Sequence, residues 1–324
     1  MTASPSLTVL LSQYRSVSII GMAKNVGKTT VLNRLISDFN KEKICLGLTS
    51  IGRDGESVDV VTATEKPRIF VRSGTIIATA TNLLHFCDIT KEILAVTDIN
   101  TPMGRISIVR ALSDGYVQLG GPSITNQVAD ILDEMHKFGT DKIIVDGAVD
   151  RRTLASPVVT EATVLCTGAS FSNDLETVVS ETAHIARMLT LPKIEDRKVL
   201  DEFMRMPPNE KMTRIDDYAI CLKGAVSDGF IENLIVSNVR LEGAIIVAQD
   251  PSKIFIKPAT YEKLLFRKIV LMVVEPINLV AIAVNPISVR GGVFDKHEFL
   301  TRMSKAVAVP VVDAKSCFEG APNA

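Results

Sequence analysis

The sequence lacks any apolar run long enough for a membrane-spanning helix, which needs about 20 consecutive apolar residues. Its most apolar stretches include residues 269–274 and 279–284, and Glu275, Pro276 and Asn278 separate the two. The amino-terminal segment MTASPSLTVLLSQYR also lacks the basic start of a secretory signal. The sequence therefore predicts a cytoplasmic protein with no membrane partner.

An excess of charge of either sign is also missing. The 324 residues include 36 Lys and Arg against 37 Asp and Glu, which gives a formal net charge of −1. Proteins that bind nucleic acid cluster positive charge to neutralise phosphates. We therefore expect no nucleic-acid partner, and any charged ligand has to be bound by a local group of residues.

Cysteine and histidine are few and scattered. The five cysteines are odd in number and widely spaced, which is typical of free thiols in a reducing compartment. The four histidines are isolated, and no Cys/His pair has the spacing of a metal site. The composition is 46% hydrophobic, which is enough to bury the core of one large α/β domain or of two small ones.

The most informative stretch is SVSIIGMAKNVGKTTVLNRL, residues 16–35. A β-rich run at residues 17–20 leads into a loop from Gly21 to Gly27, and apolar residues then recur at helical spacing. Glycines in such a loop let backbone amides approach phosphate oxygens that a Cβ would block. Strand, loop and helix in this order are typical of a phosphate-binding loop.

The residues after the second glycine fit a nucleoside triphosphate. Lys28 supplies positive charge to the β and γ phosphates, and Thr29 offers a hydroxyl to Mg²⁺. The amides at the start of the following helix add a partial positive charge. We therefore expect ATP or GTP and Mg²⁺ as cofactors, with the nucleotide bound by Gly21, Asn25, Val26, Gly27, Lys28, Thr29 and Thr30.

The spacing of this loop differs from the commonest form. Five residues separate Gly21 from Gly27, and Met22 stands where the usual first glycine would be. Together with Val26 before the second glycine, this spacing resembles the loop of dethiobiotin synthetase and its relatives in the deviant P-loop class. Lys24 lies one position from the extra lysine of the deviant ATPases, so the resemblance assigns it no role.

Two acidic residues are candidates for the Mg²⁺ side of the site. The pattern KIIVDG at residues 142–147 predicts a buried strand ending in an acid, and Asp146 is expected to hold Mg²⁺ through water. Deviant P-loop proteins also place an acid after their second strand, predicted here at residues 44–49, and this resemblance indicates Asp54. The predicted catalytic residues are Lys28, Asp54 and Asp146, and the predicted metal-binding residues are Thr29, Asp54 and Asp146.

Three arginines follow these strands, and their roles stay open. Arg53 can bridge phosphate oxygens, whereas Arg151 and Arg152 can neutralise a transferring phosphate or form surface salt bridges. Ligases of the dethiobiotin type carry a lysine just after the second strand, where this chain has Thr49 and Ser50. This difference counts against ligase chemistry.

The order of predicted elements indicates an α/β fold with a doubly wound, mostly parallel P-loop sheet. We expect a P-loop core at residues 1–190 with a β-rich insertion at 56–122, a linker at 191–213 and a further α/β unit at 214–324. The last strands, within 279–313, are expected to close the P-loop sheet. The insertion is predicted to be an antiparallel β layer that binds a substrate or a partner protein.

Five segments together resemble one uncommon family of P-loop proteins, the smaller component of the reactivating system for lysine 5,6-aminomutase. They are SIIGMAKNVGKTT, LTSIGRDGES, IIVDGAVDRR, FIKPATYEK and NLVAIAVNPIS. The resemblance implies hydrolysis of ATP to remove inactivated cobalamin from a coenzyme B12-dependent aminomutase, with that mutase and a second reactivase subunit as partners. The closing strands of deviant P-loop proteins commonly end in an Asn that contacts the base, and Asn285 occupies that place here.

Two other functions fit the same residues. An ATP-dependent ligase or kinase for a small acid would need additional Lys or Arg around the γ phosphate. A nucleotide-sensing regulator would bind the nucleotide without turnover. Hydrolysis measured with and without a cognate mutase separates a reactivation factor from these two, and the sequence leaves open both the choice between ATP and GTP and the formation of a homodimer.

Overall fold

The structure is a computed structural model, and it describes residues 6–52, 69–149, 159–207, 210–216, 218–237 and 242–315. The chain divides into two units. Unit 1 comprises Met1–Val179 and Leu279–Ala324, and unit 2 comprises Ser180–Asn278. Each unit has its own β-sheet and its own buried apolar core, and unit 1 contains the predicted phosphate loop.

Up to residue 168, the described part of the chain forms nine strands. They are β1 (Ser16–Gly21), β2 (Leu46–Ser50), β3 (Ile69–Val71), β4 (Ile76–Ala80), β5 (Lys91–Thr101), β6 (Gly104–Ala111), β7 (Gly115–Val117), β8 (Lys142–Val149) and β9 (Ala162–Gly168). The helices that accompany them are α1 (Leu7–Leu11), α2 (Lys28–Lys41), α3 (Thr125–Lys137) and α4 (Leu175–Leu189).

Unit 2 is a smaller α/β arrangement. Its helices are α5 (Arg197–Arg205), α6 (Asp228–Val236) and α7 (Pro258–Phe266), and its strands are β10 (Met212–Ile215), β11 (Ala219–Leu222), β12 (Val226–Ser227), β13 (Ile245–Ala248), β14 (Ile254–Phe255) and β15 (Val270–Val273). The sheet has the order β10-β11-β13-β15, in which β10 is antiparallel and the others are parallel. The short strands β12 and β14 form a separate parallel pair.

The chain then returns to unit 1 through β16 (Leu279–Asn285), α8 (Lys296–Ala306) and β17 (Val311–Asp313). The predicted α/β unit at 214–324 is therefore divided, because its residues from Leu279 onward belong to the first sheet. Within the described ranges, no helix has both the length and the apolar character needed to cross a lipid bilayer.

The sheet of unit 1 has the strand order β17-β16-β9-β1-β8-β2-β4-β6-β5. The strands from β17 to β4 run parallel to their neighbours, whereas β6 is antiparallel to both β4 and β5. The chain is therefore an α/β protein with a large, mostly parallel mixed sheet. Strands β16 and β17, which lie within residues 279–313, extend this sheet beyond β9.

Continuous burial explains why β1 lies in the interior of the sheet. All six of its residues are buried, and a strand covered on both faces needs such an unbroken run. Helix α2 packs Val31, Leu35 and Phe39 into the same core. Each fully buried side chain of this size contributes about 1.5 to 3 kcal/mol. This packing holds both ends of the loop that joins β1 to α2.

Within the described residues, the predicted β-rich insertion does not form a separate layer. Strand β4 pairs in parallel with β2, and β6 and β5 continue the same sheet. Only β3 and β7 form a two-stranded ribbon of their own. The edge of β2 would otherwise expose unpaired backbone groups, and β4 satisfies them. Residues 53–68 lie outside the described part of the chain.

The prediction of a linker at residues 191–213 is wrong, because this segment contains α5 and the start of β10. The Asp196 side chain caps α5 by accepting hydrogen bonds from the amides of Lys198 and Val199. Val199 and Phe203 are buried in the core of unit 2. The charged residues that suggested a linker therefore belong to the solvent-facing side of an amphipathic helix.

Candidate functional site

The carboxyl end of β1 lies at the point where the strand order reverses. From β1 the chain passes through α2 to β2, on one side of β1, and from β8 it passes to β9, on the other side. In open α/β sheets, ligands bind outside the carboxyl ends of strands at such a reversal. The topology alone therefore indicates the loop after β1 as the candidate site.

The loop enters α2 through an unusual backbone conformation. Gly27 is the residue before the helix and has a φ of 100°, and Asn25 has a φ of 61°. Both values lie in the left-handed region, which favours glycine and tolerates asparagine. Gly27 provides no side-chain cap to α2. The first amides of α2 have no intrahelical acceptor, so they form a ready site for an anion.

The side chain of Lys28 folds back over the start of this loop. A Cβ on Gly21 would lie 3.0 Å from both Cδ and Nζ of Lys28, and 2.9 Å from Cγ2 of Val26. The ammonium Nζ donates a hydrogen bond to the carbonyl of Ala23 at 3.1 Å. The positive charge is therefore held inside the turn of the loop, and Gly21 provides the space for it.

Asp146 contributes a buried carboxylate oxygen beside the loop. It pairs in register with Ile19 of β1 and Ser50 of β2. The prediction that the strand ends at this acid is wrong, because β8 continues for three more residues to Val149. Its Oδ1 atom is buried without a hydrogen-bond partner. Burial raises the pKa of the carboxyl to about 6, and the nearby charge of Lys28 opposes this rise. An unpaired buried acceptor is costly for the protein, and this oxygen is free to accept a hydrogen bond or to coordinate a cation.

The residues present fit Mg²⁺ bound together with phosphate. Thr29, the second residue of α2, and Asp146 offer oxygen ligands of the kind Mg²⁺ prefers. The described residues contain no group of three or more His, Cys, Asp or Glu side chains arranged to hold a metal ion. An ion at this position would therefore take most of its ligands from phosphate oxygens and water, which is the usual arrangement for Mg²⁺.

Cys166 lies next to the start of the loop, in the strand that neighbours β1. It lies in β9, pairs in register with Gly21, and is fully buried in the core. Its backbone carbonyl accepts a hydrogen bond from the amide of Met22 at 2.9 Å. Burial raises the pKa of the thiol to about 12. Cys166 is therefore a neutral packing residue at neutral pH.

Some of the other predicted site residues lie at the loop between β1 and α2, and the rest fall in segments outside the described residues. Asn285 ends β16 and lies against Gly27, Val26 is buried in the core, and Thr29 and Thr30 are half-buried in the first turn of α2. The structure thus brings together Gly21, Asn25, Val26, Gly27, Lys28, Thr29, Thr30, Asp146 and Asn285. Four candidates lie outside the described residues, namely Arg53, Asp54, Arg151 and Arg152.

The last residues of the predicted insertion lie near the site. Residues 118–122, which we name the connector, pack on the carboxyl end of β2. A Cβ on Gly121 would lie only 1.8 Å from the carbonyl oxygen of Ser50, and the amide of Gly52 donates to the carbonyl of Pro122 at 2.9 Å. The only sequence signal is the Gly-Gly-Pro at its end, which also fits an ordinary turn.

Comparison with protein-family models, curated proteins and solved structures gave no match. The class that the structure establishes is therefore the broad one, an α/β protein with a large, mostly parallel sheet. The function has to be argued from the geometry at the carboxyl end of β1.

Proposed function

We propose that the chain is a P-loop NTPase that binds ATP or GTP with Mg²⁺ at the carboxyl end of β1 and hydrolyses it. The observation that carries this proposal is the pairing of two features. The Lys28 ammonium is folded over Gly21 inside the loop, and the unpartnered Oδ1 of Asp146 belongs to β8, the strand next to β1. A cation for phosphate and an acid for a metal ion are the two charges that this chemistry needs.

The residues of the chain have separable roles in this proposal. The amides at the start of α2 and the Lys28 ammonium bind the β and γ phosphates. Thr29 and Asp146 would hold Mg²⁺, which supplies charge neutralisation of the phosphate oxygens when it is bound. Attack of water on the γ phosphorus then releases the diphosphate and inorganic phosphate. Asp54, by the resemblance to deviant P-loop proteins, is the proposed group that orients this water.

The resemblance to the aminomutase reactivating system suggests what the hydrolysis drives. We infer release of inactivated cobalamin from a B12-dependent aminomutase, with that enzyme and a second reactivase subunit as partners. The connector supports a link between site and partner, since it joins the β4–β7 region to the end of β2 beside Asp146. Movement at the γ phosphate can reach the predicted partner-binding segment through this contact.

Calorimetric titration with ATP, GTP and Mg²⁺ tests the binding site itself. Lys28→Ala should lower nucleotide affinity at least tenfold, because a charge-assisted hydrogen bond is worth about 1.5 to 3 kcal/mol. Lys41→Ala is the matched control: it removes a lysine that is 69% exposed at the other end of α2 and should leave affinity unchanged. Equal affinity of wild type and Lys28→Ala would refute the phosphate-binding loop.

A further inference from the structure

Asn285 is fixed to the strand that flanks β1. It is 8% exposed and pairs in register with Gly168 of β9. A Cβ on Gly168 would lie 2.1 Å from the Asn285 carbonyl oxygen, so only glycine permits this approach. The same oxygen accepts a hydrogen bond from the amide of Ala169 at 3.0 Å. The backbone of Asn285 therefore has little freedom to move relative to the sheet.

The side chain of Asn285 extends from this anchored backbone toward Gly27. Its Oδ1 accepts a hydrogen bond from the amide of Ile287 at 3.3 Å, which holds the orientation of the amide group. A Cβ on Gly27 would lie 3.1 Å from Cβ and 3.5 Å from Nδ2 of Asn285. The side chain thus packs directly behind the left-handed residue that turns the loop into α2.

We propose that Asn285 is a positioning residue for the phosphate loop, which supports Gly27 and thereby the amides that follow it. This inference rests on the proposed function and adds a residue that acts on phosphate binding whatever the base. It differs from the base contact implied by the resemblance, because Oδ1 is already used by Ile287 and the remaining Nδ2 lies near Gly27. Support of this kind is what holds a binding geometry within a fraction of an ångström.

The experiment separates phosphate binding from base recognition. Calorimetry with Mg²⁺ measures the affinities of wild type, Asn285→Ala and Asn285→Ser for ATP, GTP and tripolyphosphate. Asn285→Ala removes the carboxamide that packs behind Gly27 and should weaken all three by the same factor, roughly three- to tenfold, which is the size of about one net hydrogen bond. The ratio of ATP to GTP affinity should stay constant. Asn285→Ser keeps an oxygen acceptor for the Ile287 amide and should restore part of the tripolyphosphate affinity.

The matched control is Asn100→Ala, which truncates an exposed asparagine on the far edge strand β5 and should change none of the three affinities. A shifted ATP to GTP ratio with unchanged tripolyphosphate binding would overturn the inference in favour of base recognition. Unchanged affinities for all three ligands would overturn it too. If wild type binds none of the three, the proposed function itself fails and the inference fails with it.

Should Asn285→Ala fail to fold, which its melting temperature would show, the Asn285→Ser variant gives the same comparison. Its hydroxyl is shorter than the carboxamide, so it fills less of the space behind Gly27. A reduced affinity for tripolyphosphate at an unchanged melting temperature supports the inference, and wild-type affinity for tripolyphosphate overturns it.

Discussion

At the scale of single residues, the site holds two opposite charges in an apolar setting. Asp146 lies in β8 between the buried strands β1 and β2, and its Oδ1 is buried with no hydrogen-bond partner. Burial raises its pKa more than the charge of Lys28 lowers it. At neutral pH the ionised Asp146 carboxylate therefore lowers the stability of the folded protein. Groups with such shifted pKa values are frequent at functional sites.

This cost predicts a pH-dependent gain in stability for Asp146→Asn. The folded pKa is raised from 3.8 to about 6, so the folded state binds more protons than the unfolded state between these values. Wild-type stability should therefore fall as pH rises through this window and then level off. The variant should be more stable than wild type by about 1 to 3 kcal/mol above pH ~6.5, with the difference shrinking toward pH ~4.

Urea unfolding of both proteins from about pH 4.5 to 7.5, without nucleotide or Mg²⁺, measures this difference. Glu134→Gln is a suitable control, because Glu134 belongs to a surface pair with Lys137 and surface pairs contribute little. A stability difference between wild type and Asp146→Asn that stays constant across the pH range would contradict the assignment of a buried, destabilising carboxylate.

At the scale of elements, the end of β2 depends on the connector. The connector is also hydrogen-bonded to β4. The hydroxyl of Thr79 in β4 accepts a hydrogen bond from the Gly120 amide and donates one to the Gln118 carbonyl, both at 3.0 Å. The Ile51 amide in turn donates to the Asp146 carbonyl at 3.2 Å. The connector and these hydrogen bonds thus link the carboxyl-terminal parts of β4, β2 and β8.

Gly121→Ala should therefore disturb both stability and the site. Its Cβ would overlap the Ser50 carbonyl oxygen at 1.8 Å, and that atom belongs to backbone that cannot rotate away. Overpacking of this kind costs roughly 1 to 3 kcal/mol. Urea unfolding should show this loss, and calorimetry should show weaker triphosphate binding.

Gly224→Ala serves as the control for that substitution, because nothing lies within 4 Å of a Cβ at Gly224. Its stability should stay within about 1 kcal/mol of wild type, since it meets no steric conflict. Wild-type stability and triphosphate affinity in Gly121→Ala would show that the connector does not constrain the end of β2.

At the scale of the whole molecule, the proposed site and the β-rich segment share one sheet. Strand β4 pairs with β2, and β6 and β5 continue outward from it. The sequence predicts that this segment binds a substrate or a partner protein, and switch segments in P-loop proteins respond to the γ phosphate. Nucleotide state and partner affinity should therefore be coupled.

The coupling predicts that a non-hydrolysable triphosphate tightens binding of the cognate aminomutase relative to the diphosphate. The expected factor is about 5- to 150-fold, which corresponds to typical coupling free energies of about 1 to 3 kcal/mol. Basal hydrolysis should be slow, and the mutase should raise it. Equal mutase affinities in both nucleotide states, together with hydrolysis that is fast only when a small carboxylic or amino acid is added, would favour a ligase instead.

Local patterns in the sequence were enough to place the strand, loop and helix of the candidate site. The apolar run of β1, the two glycines and the helical spacing of α2 lie within residues 16–35, so their physical causes are local. Short β-branched runs between turn residues are local signals too, and strands β3 to β7 overlap the runs at residues 68–72, 75–81, 93–97, 106–110 and 115–119. The acid in β8 follows from the same kind of pattern, although the strand runs on past it to Val149.

The linker at 191–213 shows how such local signals fail. Prolines and charges dominate its composition, yet Val199 and Phe203 supply enough buried area to hold α5 against unit 2. Tertiary packing outweighs weak local preference in a short helix. Local patterns also fail to predict strand pairing in the insertion, because no local feature shows that β4 pairs with β2.

The sequence by itself determined that a glycine loop and a lysine would follow one buried strand and that an acid would stand in another, because spacing and residue type express those features directly. Only the tertiary structure decided which groups surround them. The contact of Gly121 with Ser50 and that of Asn285 with Gly27 join residues far apart in the chain. Such contacts depend on strand order and register, which arise when the whole sheet assembles and leave no periodic signal in the sequence.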